Sequence, residues 1–298
     1  MNFSGLNSFR KSTSGKIILY FLKLGLSIFI LWMIFRKVNL FSALDDIIRL
    51  PWHIVSLLIV ISFIRHILQF HNWYFSLQIN PKFSAPKKEI VSSYLIGQTL
   101  RFAVPGGPAS FAKVLYVPNS SKLSSFWSSL VEKSFMTWTT WLFTVAAGMF
   151  YYNQFPLVIW IALLLLFILF PWLVKCGLAH SKQFSSLTVP YAKQAPKIIA
   201  VQIVSTLLSF VQYWLILNCL LTVNFWQTWI RMALTQFSNT IPVTISGLGL
   251  REGFAIHFLS GIGFSAEKAV SASLTLFFIQ DVLPALIGIY YLIKGKKL

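Results

Sequence analysis

Long apolar segments recur along this chain of 298 residues and leave little sequence between them. A transmembrane helix needs about 20 mainly apolar residues to cross the hydrocarbon core of a bilayer. The composition agrees, because 56% of the residues are hydrophobic and only 11% are charged. The pattern therefore predicts one membrane domain over residues 1–298 and argues against a soluble globular fold. Windows of spanning length are centred near Leu26, Ile61, Thr140, Leu165, Leu208 and Phe278.

The formal net charge of +18 is better explained by membrane orientation than by nucleic-acid binding. Lysine and arginine cluster between the apolar segments, and basic loops mark the cytoplasmic side of membrane proteins. Placing these clusters in the cytoplasm makes both termini cytoplasmic. Tryptophans at span ends, among them Trp52, Trp73 and Trp226, are expected to anchor the chain at the membrane interfaces. The predicted full spans are 16–36, 52–76, 125–150, 156–175, 197–222 and 268–293.

Two further hydrophobic elements, 90–113 and 229–263, are interrupted by residues that break helices. The first contains VPGGP at 104–108, and the second contains Pro242 and then SGLG at 246–249. Proline removes a backbone donor, and glycine frees the backbone for turns. Broken, polar backbone at membrane depth is tolerated only inside protein or beside a watery cavity. The charge pattern favours re-entrant elements, each of which starts and ends on one side of the membrane.

This order of elements predicts two halves with opposite orientations, 16–150 and 156–293. Each half has two spans, one re-entrant element and one more span, which is a recurring plan among transporters. The predicted fold is an all-α integral membrane protein, a helical bundle of six full spans and two broken re-entrant elements in an inverted repeat. The alternative treats the broken elements as kinked full spans, which gives eight crossings and parallel halves.

Polar residues around the two breaks form the predicted substrate site. Their cations would attract an anionic headgroup, while helix N-termini, amides and hydroxyls would donate hydrogen bonds to it. Three carboxylates, Glu132, Glu252 and Asp281, would balance charge or accept protons. In the alternative interpretation these charges only cross-link the helices. The predicted substrate-binding residues are Arg101, Gly106, Gly107, Lys113, Asn239, Thr240, Ser246, Gly247, Gly249 and Arg251.

No pattern typical of an enzyme is present in the sequence. The five histidines are scattered without metal-ligand spacing. A Walker loop, a dinucleotide-binding glycine pattern and a zinc-binding HExxH motif are absent. We therefore predict no catalytic residues, no metal and no cofactor.

The run from Pro242 to Glu252, PVTISGLGLRE, resembles the signature of the lysylphosphatidylglycerol synthase transmembrane, or flippase-like, family. The run from Pro105 to Lys113, PGGPASFAK, resembles the first glycine-rich motif of that family. Lys133 stands where the helix after this motif usually carries an arginine. The family is similar to the flippase portion of the multiple peptide resistance factor. The resemblance extends over essentially the whole chain.

The resemblance implies translocation of aminoacylated phosphatidylglycerol, or of another polar or glycosylated lipid, in a bacterial or archaeal plasma membrane. The soluble aminoacyl-transferring domain of the synthases is not expected here, so synthase activity is not carried over. Membrane lipids, anionic or glycosylated, are the implied partners. A second copy of the chain or an envelope-synthesis enzyme would be a further partner.

Two other functions remain open at this point. A small-solute secondary transporter with the same repeat would have a closed central pocket. A non-transporting accessory or scaffold protein of envelope lipid synthesis would have Arg251 and Glu252 tightly paired, with no cavity nearby.

Overall fold

The structure of the protein is a computed structural model. This structure describes residues 40–80, 83, 85–101, 108–117, 122–182, 184–241, 244 and 247–294. This described part is helical and contains no β-strand, as the all-α prediction requires. The predicted first span, 16–36, lies outside the described residues.

Ten α-helices make up most of the described chain, and shorter helical segments join several of them. The 108–116 segment (Pro108–Tyr116), Ser185–Leu187 and Ser238–Thr240 are 3₁₀ helices. A π-helical stretch, Phe278–Val282, called the π segment below, joins the last two α-helices. The α-helices are α1 (Leu40–Ile48), α2 (Trp52–Leu77), α3 (Lys87–Leu100), α4 (Lys122–Tyr151), α5 (Leu157–His180), α6 (Thr188–Leu220), α7 (Phe225–Phe237), α8 (Leu250–Ser260), α9 (Ala266–Phe277) and α10 (Leu283–Lys294).

Four helical stretches of the described chain are long and apolar enough to cross a membrane. Each one overlaps a predicted span. α4 covers the predicted span 125–150 with 30 residues but is not among the four. Its charged pair, Glu132-Lys133, and its many hydroxyl residues make it less apolar than the others. The four stretches are Trp52–Leu77, Leu157–His180, Ser185–Leu220 and Ala266–Lys294.

The most apolar helix, α5, is also the least buried. The mean hydropathy of its best window is 2.9, yet none of its residues is buried. Lipid chains are as apolar as leucine, so a bilayer stabilises such a surface where water would not. α6 shows the opposite pattern, because many of its polar residues face inward. Its buried polar side chains are Gln194, Gln202, Ser205, Ser209 and Gln212.

Both interrupted elements fold back on themselves. A Cβ atom at Gly97 of α3 would lie 2.8 Å from Cδ of Lys113 in the 108–116 segment. A continuous helix would separate these two positions by about 24 Å. In the second element, a Cβ atom at Gly247 would lie 2.7 Å from Oδ1 of Asn239, and α7 packs against α8. The chain therefore reverses direction within each element.

Each interrupted element packs against the last predicted span of the other half. α3 lies along α10, where the Thr99 hydroxyl donates to the carbonyl of Ala285 at 2.7 Å. α7 lies along α4, where the Thr144 hydroxyl donates to the carbonyl of Ala233 at 3.0 Å. α2 and α6 pack against each other. The packing of the two halves is thus reciprocal.

Candidate functional site

A cavity of about 390 Å³ opens between the helices, within the size range of ligand sites. The first interrupted element contributes Arg101 and Ser110 to its wall, and the second contributes Asn239 and Arg251. A smaller cavity of about 90 Å³ shares Arg101 and other lining residues with it. Residues next to the two breaks therefore meet at one polar site.

The cavity lies near the middle of the spanning helices. Arg65 lines it from the centre of α2, roughly 20 Å from either end of that helix at 1.5 Å per residue. Asp281 lines it from the π segment, near the middle of the stretch Ala266–Lys294. Short π segments are frequent at functional sites. The site therefore lies close to the middle of both helical stretches.

Asp281 connects the two interrupted elements. Its Oδ1 accepts a hydrogen bond from Nη1 of Arg101 at 2.7 Å, and its Oδ2 lies 3.7 Å from Nη1 of Arg251. Arg101 follows the last turn of α3, and Arg251 lies in the first turn of α8. One carboxylate on the last span thus holds a cation from each element.

The start of α8 carries a buried ion pair between adjacent residues. Nη2 of Arg251 lies 2.9 Å from Oε1 of Glu252, and the Ser273 hydroxyl donates to the same oxygen at 2.9 Å. Oε2 of Glu252 accepts the backbone N–H of Gly249 at 2.6 Å. Gly249 has a φ of +84°, a conformation that favours glycine. The Gly249 amide, predicted to contact substrate, is therefore occupied by Glu252.

A second buried ion pair joins Lys113 of the 108–116 segment to Glu132 of α4. The ammonium of Lys113 also lies 3.8 Å from the centre of the Trp73 ring, a cation–π contact. Trp73 is fully buried and donates to the Ser93 hydroxyl at 3.0 Å. The prediction that Trp73 anchors the chain at the interface is therefore wrong. Trp52 and Trp226 are 80% and 50% exposed, as interfacial anchors require.

The model of one protein family matches nearly the full length of the chain. It describes the lysylphosphatidylglycerol synthase TM region and matches residues 20–288. The chain belongs to this family. No curated protein matches the chain. Together with its apolar helices, the family identifies a multi-pass membrane protein and confirms the resemblance drawn from the two glycine-rich runs.

The predicted site residues of this family member fall into four groups. Six of them line the larger cavity, whereas Lys113 and Glu132 line the smaller one. Gly249 and Glu252 are buried next to the site. Gly106, Gly107 and Ser246 lie outside the described residues. The residues at the larger cavity are Arg101, Asn239, Thr240, Gly247, Arg251 and Asp281.

Arg65 and Gln69 line the cavity but are absent from the site predicted from the sequence. Nε of Arg65 donates to the carbonyl of Ser205 at 2.9 Å, and the Gln69 amide donates to the Ser205 hydroxyl at 2.8 Å. The sequence contained a signal for both residues. An arginine inside a predicted span points to function, and Gln69 lies one helical turn further on the same face.

Side-chain amides form a continuous network around the cavity. The Gln69 amide donates to Gln202 at 3.1 Å, and the Gln236 amide donates to the Ser209 hydroxyl at 2.9 Å. The Gln280 amide donates to Gln212 at 2.7 Å. Within the described ranges, no three His, Cys, Asp or Glu side chains are grouped to hold a metal ion. The members of this network that line the cavity, called the amide wall below, are Gln69, Gln202, Ser205, Gln236 and Gln280.

Proposed function

We propose that this protein is a flippase-like transporter that moves a polar or anionic phospholipid or glycolipid between the membrane leaflets. The observation that carries the proposal is the meeting of both interrupted elements at one polar cavity in mid-span. A headgroup can be sheltered there while its acyl chains remain among the lipids. Membership of the lysylphosphatidylglycerol synthase TM region family supports a role with lipids.

The charge of the site favours an anionic headgroup. Five cationic side chains line the two cavities, against the two carboxylates Glu132 and Asp281. Glu252 lies directly behind Arg251 and adds a third carboxylate. Positive charge that is not matched inside a membrane is costly, and a phosphate group would neutralise it. The cationic side chains are Arg65, Arg101, Lys113, Lys133 and Arg251.

The proposed transport cycle uses an inverted repeat. We propose six full spans and two re-entrant elements, with halves 16–150 and 156–293. The reciprocal packing of α3 on α10 and of α7 on α4 supports this arrangement. In related plans, two repeats rock about a site near the midplane and expose it to one side at a time. As the halves move, Asp281 would keep or lose its contacts with Arg101 and Arg251.

The scaffold alternative is less well supported than transport. It predicts that Arg251 and Glu252 pair tightly with no cavity nearby. The pair is present, but Arg251 also lines the cavity of about 390 Å³. A small-solute transporter would use the same cavity. The experiment below distinguishes it from a lipid transporter.

The setting and partners follow from this function. We propose a bacterial or archaeal plasma membrane with both termini in the cytoplasm. Anionic or glycosylated membrane lipids are the proposed partners, and a second copy or an envelope-synthesis enzyme is a further candidate. The protein would act by moving lipid and not by changing its covalent structure.

The test is lipid movement in liposomes that contain the purified protein. Phosphatidylglycerol with a fluorescent acyl chain is placed in both leaflets, and a membrane-impermeant reductant quenches the outer one, with and without a proton gradient. We expect the protected fraction to fall from about one half toward zero, as in any full exchange between two leaflets. Arg251→Gln should slow this fall in the protected fraction at least tenfold. Arg49→Gln, which alters a surface cation paired with Asp45, is the matched control.

Liposomes that keep half of every labelled lipid protected would contradict lipid transport. Uptake of a water-soluble phosphate compound without lipid movement would favour the small-solute transporter.

A further inference from the structure

The carboxylates around the cavity are already neutralised by the protein's own cations. Each of the three lies within ion-pair distance of at least one lysine or arginine. A cationic group on a substrate would therefore have to displace an internal partner. The pairs are Asp281 with Arg101 and Arg251, Glu132 with Lys113, and Glu252 with Arg251.

Two cations of the cavity have no carboxylate partner within the described part of the chain. Lys133 lines both cavities and is partly buried, and its ammonium makes no hydrogen bond or ion pair there. Arg65 donates to uncharged acceptors, the carbonyl of Ser205 at 2.9 Å and Oε1 of Gln212 at 3.4 Å. A cation held away from water without an anion is unfavourable. The positive surplus of the site is thus concentrated at Lys133 and Arg65.

The rest of the lining is rich in amide and hydroxyl groups. The amide wall offers both donors and acceptors, which suits alcohol groups better than it suits charges. Six threonines add hydroxyls to the same cavity. They are Thr137, Thr140, Thr206, Thr235, Thr240 and Thr244. The cavity therefore combines an anion-binding side with a lining suited to a polyol.

We infer that the transported headgroup is a phosphodiester that carries an uncharged, hydroxyl-rich group, such as glycerol or a sugar, and no amino group. Lys133 and Arg65 contact the phosphate, and the amide wall binds the hydroxyls. This inference rests on the proposed lipid transport and narrows its substrate. An aminoacylated lipid is disfavoured, because its ammonium would meet Lys133 and Arg65 with no free carboxylate in reach.

The first test compares headgroups on the wild-type protein in the liposome assay. Phosphatidylglycerol, lysyl-phosphatidylglycerol and phosphatidylethanolamine carry the same fluorescent acyl chain. We expect phosphatidylglycerol to cross at least tenfold faster than either amino lipid. Equal rates for the three lipids, or a faster lysyl lipid, would overturn the inference while leaving lipid transport intact. No movement of any lipid would overturn both.

The second test changes Lys133. Lys133→Gln should slow the movement of phosphatidylglycerol between the leaflets at least fivefold. The rate for glucosyl-diacylglycerol, which has no phosphate, should stay within twofold of the wild-type rate. Lys133→Glu should raise the rate of the lysyl lipid relative to phosphatidylglycerol. Lys175→Gln, on the exposed surface of α5, is the matched control. A Lys133→Gln effect of equal size on both lipids would contradict a phosphate contact.

A third arm separates a lipid headgroup from a free solute with the same chemistry. Glycerol 3-phosphate is supplied outside the liposomes, and its uptake is measured. We expect none above protein-free liposomes. Uptake of glycerol 3-phosphate without movement of phosphatidylglycerol would overturn the lipid substrate.

Discussion

Arg101, just before the first break in the chain, and Arg251, just after the second, contact opposite oxygens of the same carboxylate, Asp281. The Arg101 contact is 2.7 Å and the Arg251 contact is 3.7 Å. The three side chains are 28%, 10% and 14% exposed, so water screens these charges only weakly. The carboxylate keeps two like charges close together at the wall of the cavity. The stability of the site therefore depends on the negative charge of Asp281.

We expect Asp281→Asn to destabilise the protein by about 2–4 kcal/mol, because two guanidinium groups would lose their shared, largely buried anion. Thermal unfolding in detergent measures the loss. Asp45→Asn is the matched control, because Asp45 and Arg49 form an exposed pair that contributes little to stability. Equal losses in the two variants would show that the Asp281 contacts are not held in solution.

The buried pair Lys113–Glu132 should behave as a unit. Lys113→Met leaves Glu132 without a cation, so we expect a loss of about 3–5 kcal/mol in the free energy of unfolding. Adding Glu132→Gln should recover most of this loss, because the uncompensated charge is removed. Thermal melts of both single variants and the double variant form the cycle. Additive losses would contradict direct coupling of the two side chains.

The close approach of α3 and α10 depends on Gly288. A Cβ atom there would lie 2.2 Å from the carbonyl oxygen of Leu95, and a helix backbone cannot move aside as a side chain can. We expect Gly288→Ala to cost about 3 kcal/mol through overpacking. Gly177→Ala on α5 is the control, because nothing lies within 4 Å of its added carbon. A neutral Gly288→Ala would mean that the two helices are further apart.

Cysteine labelling tests the re-entrant topology of the first interrupted element. In a background without Cys176 and Cys219, Lys88→Cys and Lys122→Cys should react with impermeant reagents from the same side. Asn153→Cys, in the short exposed connection between α4 and α5, should react from the other side. Reaction of positions 88 and 122 from opposite sides would favour a kinked full span and parallel halves.

Local sequence predicts most of the spans well. The predicted spans 52–76 and 268–293 correspond to helical stretches Trp52–Leu77 and Ala266–Lys294. Continuous apolar runs between polar or basic residues are sufficient for this, because the bilayer sets the length of a span. The predicted span 197–222 begins too late, since α6 starts at Thr188 and contains Pro196. Tyr191 and Ala195 pack in a buried cluster with Phe135, and this packing outweighs the proline.

The composition of the site was less predictable than the position of its breaks. The glycine and proline runs identify Arg101 and Arg251 because these lie next to the breaks. Arg65 and the amide wall come from α2, α6, α7 and the π segment, and only folding brings them to the same cavity. Trp73 shows the same limitation. Its place at a span end suggests an anchor, yet a neighbouring element covers it and places Lys113 against its ring.

The sequence by itself determined that this chain is a helical membrane protein with two interrupted elements, because long apolar runs and backbone-breaking residues act locally. Which charges pair, and which remain unmatched, was decided only by the tertiary structure. Lys113 lies beside Glu132, and Asp281 lies between Arg101 and Arg251, whereas Lys133 faces the cavity. Ion pairing depends on separations of a few ångströms between distant segments, and only the packed helices set those separations.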